Sequence, residues 1–306
     1  MTRRIAVTGA RGFIGGHVVA ALAARGDQVS STIVRAPCSE LALADAFRGA
    51  ECVVHLAGVI AAPRDDVFMT GNVDVTRAVA AAARAAEARL VHVSSLAAAG
   101  PAPPESPRTE DAAAAPVTVY GRSKLEGERA VAATPGLRWT ILRPGVVYGP
   151  RDRGLLTLFR YARRGWLPLV GRPAAAYTFI HVDDAVRAIV AAVDRALDGE
   201  VIFVGHPAPV FVRDLLTEIR AVTNPRARIV RVPEAVLYLA ACAGEAVRFL
   251  TGRPVAINRR RYVELTSPGF VCRVDRLRDR LGVVPQVDLA EGLRVTADWY
   301  RQAGWI

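Results

Sequence analysis

Along the first 145 residues, short solid apolar runs alternate with longer segments whose apolar positions recur every three or four residues. Residues 4–8 read as a buried strand that runs straight into a glycine-rich turn. In 13–25, Ile14, Val18, Ala21 and Leu22 share one helical face, and Gly26 ends the helix. Further strands are predicted at 29–35, 52–57, 90–94 and 140–143, and helices at 41–47, 73–88 and 120–133. Apolar strands separated by helices predict stacked βαβ units, hence a parallel sheet covered on both faces. The expected fold class is α/β, a Rossmann-like doubly wound parallel sheet.

Beyond Pro150 the pattern is less regular. Helices are predicted at 155–164, 184–196 and 289–302, and short strands at 179–182 and 201–204. The expected organisation is a dinucleotide-binding domain over 1–150, to which 177–205 return. A smaller mixed α/β substrate domain then occupies most of 151–306. Residues 101–116, rich in proline and alanine, predict an exposed loop near the site.

Chemistry enters at the first turn. Thr8-Gly9-Ala10-Arg11-Gly12-Phe13-Ile14-Gly15 spells T-G-x-x-G-x-x-G between a strand and a helix. Gly9 permits the tight turn, Gly12 lets backbone N–H groups approach a pyrophosphate, and Gly15 lets helix and strand pack closely. The phosphates would sit on a helix N-terminus, where unpaired N–H groups favour anions. Tyr120 and Lys124 are spaced i, i+4 and share a helical face. With seven tyrosines and a single lysine in the chain, this spacing arises by chance only ~2% of the time. A phenol near pKa 10 needs help to exchange a proton at neutral pH, and a neighbouring ammonium lowers it. Ser94 and Ser95 end a predicted strand, where ligands of open α/β sheets bind.

Composition narrows the class. Hydrophobic residues make up 52% of 306, which excludes a disordered chain. The formal charge of +11 is spread over scattered arginines, and the densest run, Arg259-Arg260-Arg261, lacks interleaved aromatics. That pattern argues against nucleic-acid binding and suits an anionic ligand such as a dinucleotide. Cys38, Cys52, Cys242 and Cys272 show no metal-ligand spacing, so neither zinc nor a disulfide framework is expected. The apolar stretch 235–250 is broken by Glu245 and Arg248 and is too short to span a bilayer. With no signal peptide apparent, a cytoplasmic protein without a membrane span is expected.

Taken in order, these motifs resemble the extended short-chain dehydrogenase/reductase family, that of the NAD-dependent epimerases and dehydratases. The resemblance covers nearly the whole chain. It includes His55-Leu56-Ala57-Gly58, Ser94-Ser95, Tyr120-x-x-x-Lys124, Leu142-Arg143-Pro144-Gly145-Val146-Val147-Tyr148-Gly149-Pro150 and Phe179-Ile180-His181-Val182-Asp183-Asp184. It implies an NAD(P)-dependent oxidoreductase passing a hydride between nicotinamide and a secondary alcohol or ketone. Tyr120 would be the general acid/base, Lys124 would bond the nicotinamide ribose, and Ser95 would hold the substrate oxygen. The implied cofactor-binding set is Gly9, Arg11, Gly12, Phe13, Ile14, Gly15, Arg35, Leu56, Ala57, Gly58, Ser94, Tyr120, Lys124, Pro144, Gly145 and Val147. Asn72 would be either part of a supporting network or a helix cap. His181 is read as structural. Helices 73–88 and 120–133 are those such proteins commonly pair in a homodimer.

Two departures from the family pattern matter. The family usually has two strands between the first helix and the His-Leu-Ala-Gly segment; here about 30 residues separate Gly26 from His55. Residues 29–35 are either one of those strands or a fusion of both. In the first case Arg35 and Arg11 suit the 2′-phosphate of NADP, which is preferred over NAD. Nucleotide-sugar epimerases also carry Asn where Val146 stands, and Arg-Asp where Tyr177-Thr178 stand. The expected substrate is therefore rather apolar, and the sequence Ser94 to Pro101 with the proline-rich loop after Ser95 looks more like the hydroxysteroid-dehydrogenase and dihydroflavonol-reductase branches. A nucleotide-sugar epimerase or dehydratase with tightly bound NAD is the alternative.

Overall fold

The computed structural model describes residues 2–62, 64–172, 174–195, 197–251, 255 and 257–306. Strands and helices alternate as β1 (Arg4–Thr8), α1 (Phe13–Ala24), β2 (Gln28–Thr32), α2 (Glu40–Phe47) and β3 (Cys52–His55). They continue as α3 (Asp65–Met69), α4 (Val75–Ala85), β4 (Arg89–Val93), α5 (Val119–Ala132) and β5 (Trp139–Pro144). Next come β6 (Val146–Tyr148), α6 (Leu156–Arg163), β7 (Trp166–Leu169), β8 (Ala176–Tyr177), β9 (Phe179–His181), α7 (Val182–Asp194) and β10 (Glu200–Val204). The chain closes with β11 (Val210–Phe211), α8 (Val212–Thr223), β12 (Arg228–Arg231), α9 (Glu234–Thr251), α10 (Arg259–Thr266), β13 (Gly269–Phe270), α11 (Asp275–Leu281) and α12 (Leu289–Gln302).

Six strands form one parallel sheet in the order β10-β5-β4-β3-β1-β2. Alternate strand residues feed two cores. Ile5, Val7 and Val54 pack against α1, α7 and α11, whereas Ala6, Val53 and Leu90 pack against α2, α4 and α5. This is the doubly wound α/β arrangement. β10 adds beside β5, and α7 lies against α1 on the sheet's first face. The remaining strands make small separate sheets, and a third core gathers around Phe159, Leu216, Ile219, Leu293 and Tyr300.

One strand, β2, lies between α1 and α2, and it pairs with β1. The outer strand that the family pattern called for has no counterpart in 33–51. The sequence Gln-Val-Ser-Ser-Thr explains why β2 tolerates the edge: it is short, mostly polar and never fully buried. Two other expectations are revised. The helix expected at 73–88 begins earlier, with α3 and a wide π-type turn at Thr70–Asp74 leading into α4. The 101–116 segment is not a free loop. Ala102 and Arg108 bridge to Phe270 and Cys272, and the Glu110 carboxylate accepts the Phe203 N–H at 3.0 Å, because this segment is laid along 269–273 by a ladder of backbone bonds.

Candidate active site

Strand order reverses between β1 and β3, where the chain crosses from one side of β1 to the other. Such a switch point opens a crevice beyond the strand ends. Gly9 lies there with φ +75°, and its N–H-accepting carbonyl closes the turn to the Gly12 amide at 2.9 Å. A Cβ on Gly9 would stand 2.6 Å from the Ala57 nitrogen, and one on Gly15 would stand 2.1 Å from the Gly9 oxygen. The turn and the Leu56–Gly58 segment are thus pressed together. Helix α1 starts at Gly12 with no side-chain cap and no acidic residue in its first turn. Its orphan amides therefore face the crevice uncompensated, which suits an anion. These features fit a dinucleotide diphosphate. Gly15→Ala is expected to force the turn apart, weaken dinucleotide binding by at least about ten-fold and destabilise by about 1–3 kcal/mol. Gly16→Ala, which meets only the flexible Arg151 guanidinium, is the matched control. Titration of both variants with NAD(P)H, read by fluorescence, checks this.

Tyr120 and Lys124 sit in the first turns of α5, whose N-cap Thr118 accepts the Gly121 amide at 3.0 Å. Gly121 lets α5 approach the Ser95–Ala98 turn: a Cβ there would be 2.4 Å from the Ala97 oxygen. That approach brings the Ser95 hydroxyl to the Tyr120 phenol, close enough to draw its pKa down. Burial is the larger effect, and with the Glu264 carboxylate it leaves the phenol above its ordinary value. Lys124 donates to the Val93 carbonyl at 2.9 Å. Its ammonium is buried and pushed down to about 8, with Glu128 opposing the shift. The expectation of a phenol acidified by the lysine is corrected for the protein by itself: desolvation holds the phenol above its ordinary value, and the Lys124 ammonium is engaged with a backbone carbonyl.

Beneath these groups lies a buried polar network. Glu128, one turn beyond Lys124, pairs with Arg143 of β5 through Nε at 2.9 Å and a second nitrogen at 2.6 Å. Ser94 donates its hydroxyl to the same carboxylate. The Ser94 side chain, expected among the cofactor contacts, thus turns inward to Glu128. Asn72 resolves as part of a network: its amide donates to the Val59 carbonyl and the Ser123 hydroxyl, both at 2.9 Å, and its oxygen accepts the Val59 amide at 2.7 Å. It ties the Gly58 loop to α5, which a helix cap could not do. On the same sheet face His55 bridges Thr8 and Thr76 and stacks on His92 at 5.1 Å. Burial pushes His55 down to about 3 and His92 well below its usual value, so both stay neutral. His181 accepts from the Asp183 amide and packs on Tyr148, a structural placement.

On the substrate side, Phe68 packs edge-on against the Tyr120 ring, at 6.3 Å between centroids. Gly145 brings β6 against Thr178, and the Val146 side chain emerges 36% exposed. Tyr177 stacks on Phe270 at 6.2 Å. Helix α10 contributes Arg261 and Glu264, whose charges act on Tyr177, and Glu264 also acts on Tyr120. The sequence does not single out Phe68, Arg261, Glu264 or the Glu128–Arg143 pair as site residues; Arg261 enters it only in an arginine run and Arg143 only within a motif. Glu128 had a signal, lying i+4 from Lys124; Glu264 had none, being 144 positions from Tyr120 in the chain. Pro144 and Val147 stand where β5 and β6 meet, and Arg11 and Arg35 are exposed beyond β1 and β2. Among the described residues no group of His, Cys, Asp or Glu could hold a metal ion, and no helix is long and apolar enough to cross a membrane.

Known proteins agree with this layout. The NAD dependent epimerase/dehydratase family matches residues 5–205. The chain is 31% identical to ceramide reductase of Caulobacter vibrioides, over 99% of this chain and 96% of that protein. It is 28% identical to 4-hydroxy-2-methyl-3-oxo-4-farnesyl-3,4-dihydroquinoline-1-oxide ketoreductase of Stigmatella aurantiaca, over 98% and 96%. Its fold resembles UDP-glucuronic acid 4-epimerase from Bacillus cereus in complex with NAD, with TM-score 0.78, 21% identity and coverage of 98% and 99%. The chain belongs to the NAD-dependent epimerase/dehydratase family, the extended short-chain dehydrogenase/reductases, and is an NAD(P)-dependent enzyme of the dehydrogenase/reductase or epimerase type.

Proposed function

We propose that this enzyme interconverts a secondary alcohol and a ketone on an apolar, lipid-like substrate, with net reduction or oxidation rather than epimerisation of a nucleotide sugar. The observation that carries the reading is the apolar character of positions where a sugar diphosphate would need polar partners: Val146 is exposed and Tyr177 stacks on Phe270, with the Glu264 carboxylate acting on both Tyr177 and Tyr120. The apolar reacting molecules in the names of the ceramide reductase and the farnesyl-quinoline ketoreductase support it.

The dinucleotide would be held by the Gly9–Gly15 turn, Leu56–Gly58, Lys124 and the Pro144–Val147 corner. When bound, it supplies the hydride and, in its oxidised form, a positive ring charge. The protein does the rest. Ser95 orients the substrate oxygen. Tyr120 holds or takes the hydroxyl proton at its phenol oxygen. Lys124 keeps positive charge beneath that phenol, and Asn72 keeps Lys124 and Gly58 in register. Arg35 and Arg11, with no acid at the end of β2, favour the 2′-phosphate of NADPH.

The test is consumption of NADPH with long-chain apolar ketones against UDP-glucose and UDP-glucuronate. Turnover of the former, with NADPH preferred over NADH by at least about ten-fold and that preference lost in Arg35→Ala, is expected. Sugar-nucleotide conversion without added cofactor would overturn the reading.

A further inference from the structure

Helix α9 is apolar on both sides. Leu237, Ala241 and Gly244 face the protein, where Gly244 lets the chain at Ile257 pass so close that a Cβ would lie 1.9 Å from its carbonyl oxygen. On the opposite side Val236, Leu239, Ala243, Val247 and Leu250 follow one another at intervals of three or four and form a single stripe. Four of them are 53%, 67%, 48% and 81% exposed in the order Val236, Leu239, Val247, Leu250. The charged residues Glu234, Glu245 and Arg248 all fall away from the stripe, and Glu245 is paired with Arg248. A contiguous apolar stripe of this length marks an interaction surface rather than ordinary surface scatter.

Its occupant follows from the charges around it. Arg228 and Arg231 are exposed just before α9, whereas Arg259, just after it, lies against Glu245. Between positions 226 and 264 the sequence holds eight arginines against three glutamates. Glu264 is paired with Arg261, and Glu234 accepts the Tyr262 hydroxyl at 2.9 Å. The face is therefore apolar with a basic rim, the combination that lies in the plane of an anionic lipid surface without spanning it. Its place in the fold argues the same way. Helix α10 packs on α9 through the Tyr238–Tyr262 ring pair, and its Glu264 acts on Tyr120. One helix thus separates the stripe from the catalytic phenol.

We propose that the α9 stripe docks this enzyme onto an anionic lipid bilayer, with Arg228 and Arg231 meeting the headgroups. The choice of a bilayer over a second copy of the chain rests on the apolar-substrate reading above; binding itself is measured without substrate. The full chain is sedimented with vesicles of phosphatidylglycerol and phosphatidylcholine, and with phosphatidylcholine alone. Sedimentation with the first is expected, weaker by about ten-fold with the second or at high salt. Leu239→Glu combined with Val247→Glu is expected to lose about ten-fold or more in vesicle binding, with NADPH binding and melting temperature unchanged. Arg228→Gln with Arg231→Gln is expected to weaken only the anionic component. A parent protein that stays in the supernatant, or a stripe variant that still sediments equally, overturns the proposal. So does a parent dimer, seen by light scattering, that the stripe variant splits while neither form binds vesicles. Vesicle binding without turnover of apolar ketones would count against the substrate reading alone, and turnover without vesicle binding against the docking alone.

Discussion

Tyr120→Phe is expected to lower kcat by about 10²–10⁴-fold while dinucleotide affinity changes by less than about three-fold. The substitution removes one oxygen and keeps the ring. The packing of that ring on Phe68 survives, and so does the Thr118 cap of α5. What disappears is the phenol proposed to hold the reacting proton, which receives the Ser95 hydroxyl. Steady-state turnover and NADPH binding, measured on the same preparation, separate the two effects. Activity within about ten-fold of the parent would remove Tyr120 from the acid/base role. The elevated phenol pKa sharpens the expectation. In the protein alone the group is neutral at pH 7, so it begins as a proton donor, the state that carbonyl reduction requires.

Glu128→Gln is expected to destabilise the fold by about 3–5 kcal/mol, a third or more of the stability of many domains. The Arg143 guanidinium is buried, and Glu128 receives two of its nitrogens together with the Ser94 hydroxyl. Removing the charge leaves a buried cation without its counter-ion. The pair joins α5 to β5 and to the end of β4, which sets the helix carrying Tyr120 and Lys124 over Ser95. Denaturant unfolding measures the loss. A second consequence has a definite sign. Glu128 holds up the Lys124 pKa, which is already pushed down to about 8 by burial. Without it Lys124 loses its proton at lower pH, so the alkaline limb of the pH–rate profile is expected to move to lower pH. A profile moved the other way, or an unfolding midpoint like the parent's, would refute this account of the network.

The sequence by itself determined the alternation of strands and helices, the phosphate turn and the spacing of Tyr120 and Lys124. Each is local: a strand, a turn or a helix face is written within a dozen residues, and the physics that forms it acts over that range. Even the near miss at 73–88 was local, since a π-type turn preserves the apolar positions while shifting where the helix begins. Tertiary structure alone decided the rest. Pairing of β2 with β1 settled which of the family's two strands remains, because register depends on a partner that lies elsewhere in the chain. The inward turn of Ser94, the engagement of Lys124 with Val93 and the approach of Glu264 to Tyr120 depend on which distant groups burial brings together. The phenol's pKa follows the same rule. Spacing names the neighbour that could acidify it, but desolvation, a property of the whole packed site, sets the direction of its shift.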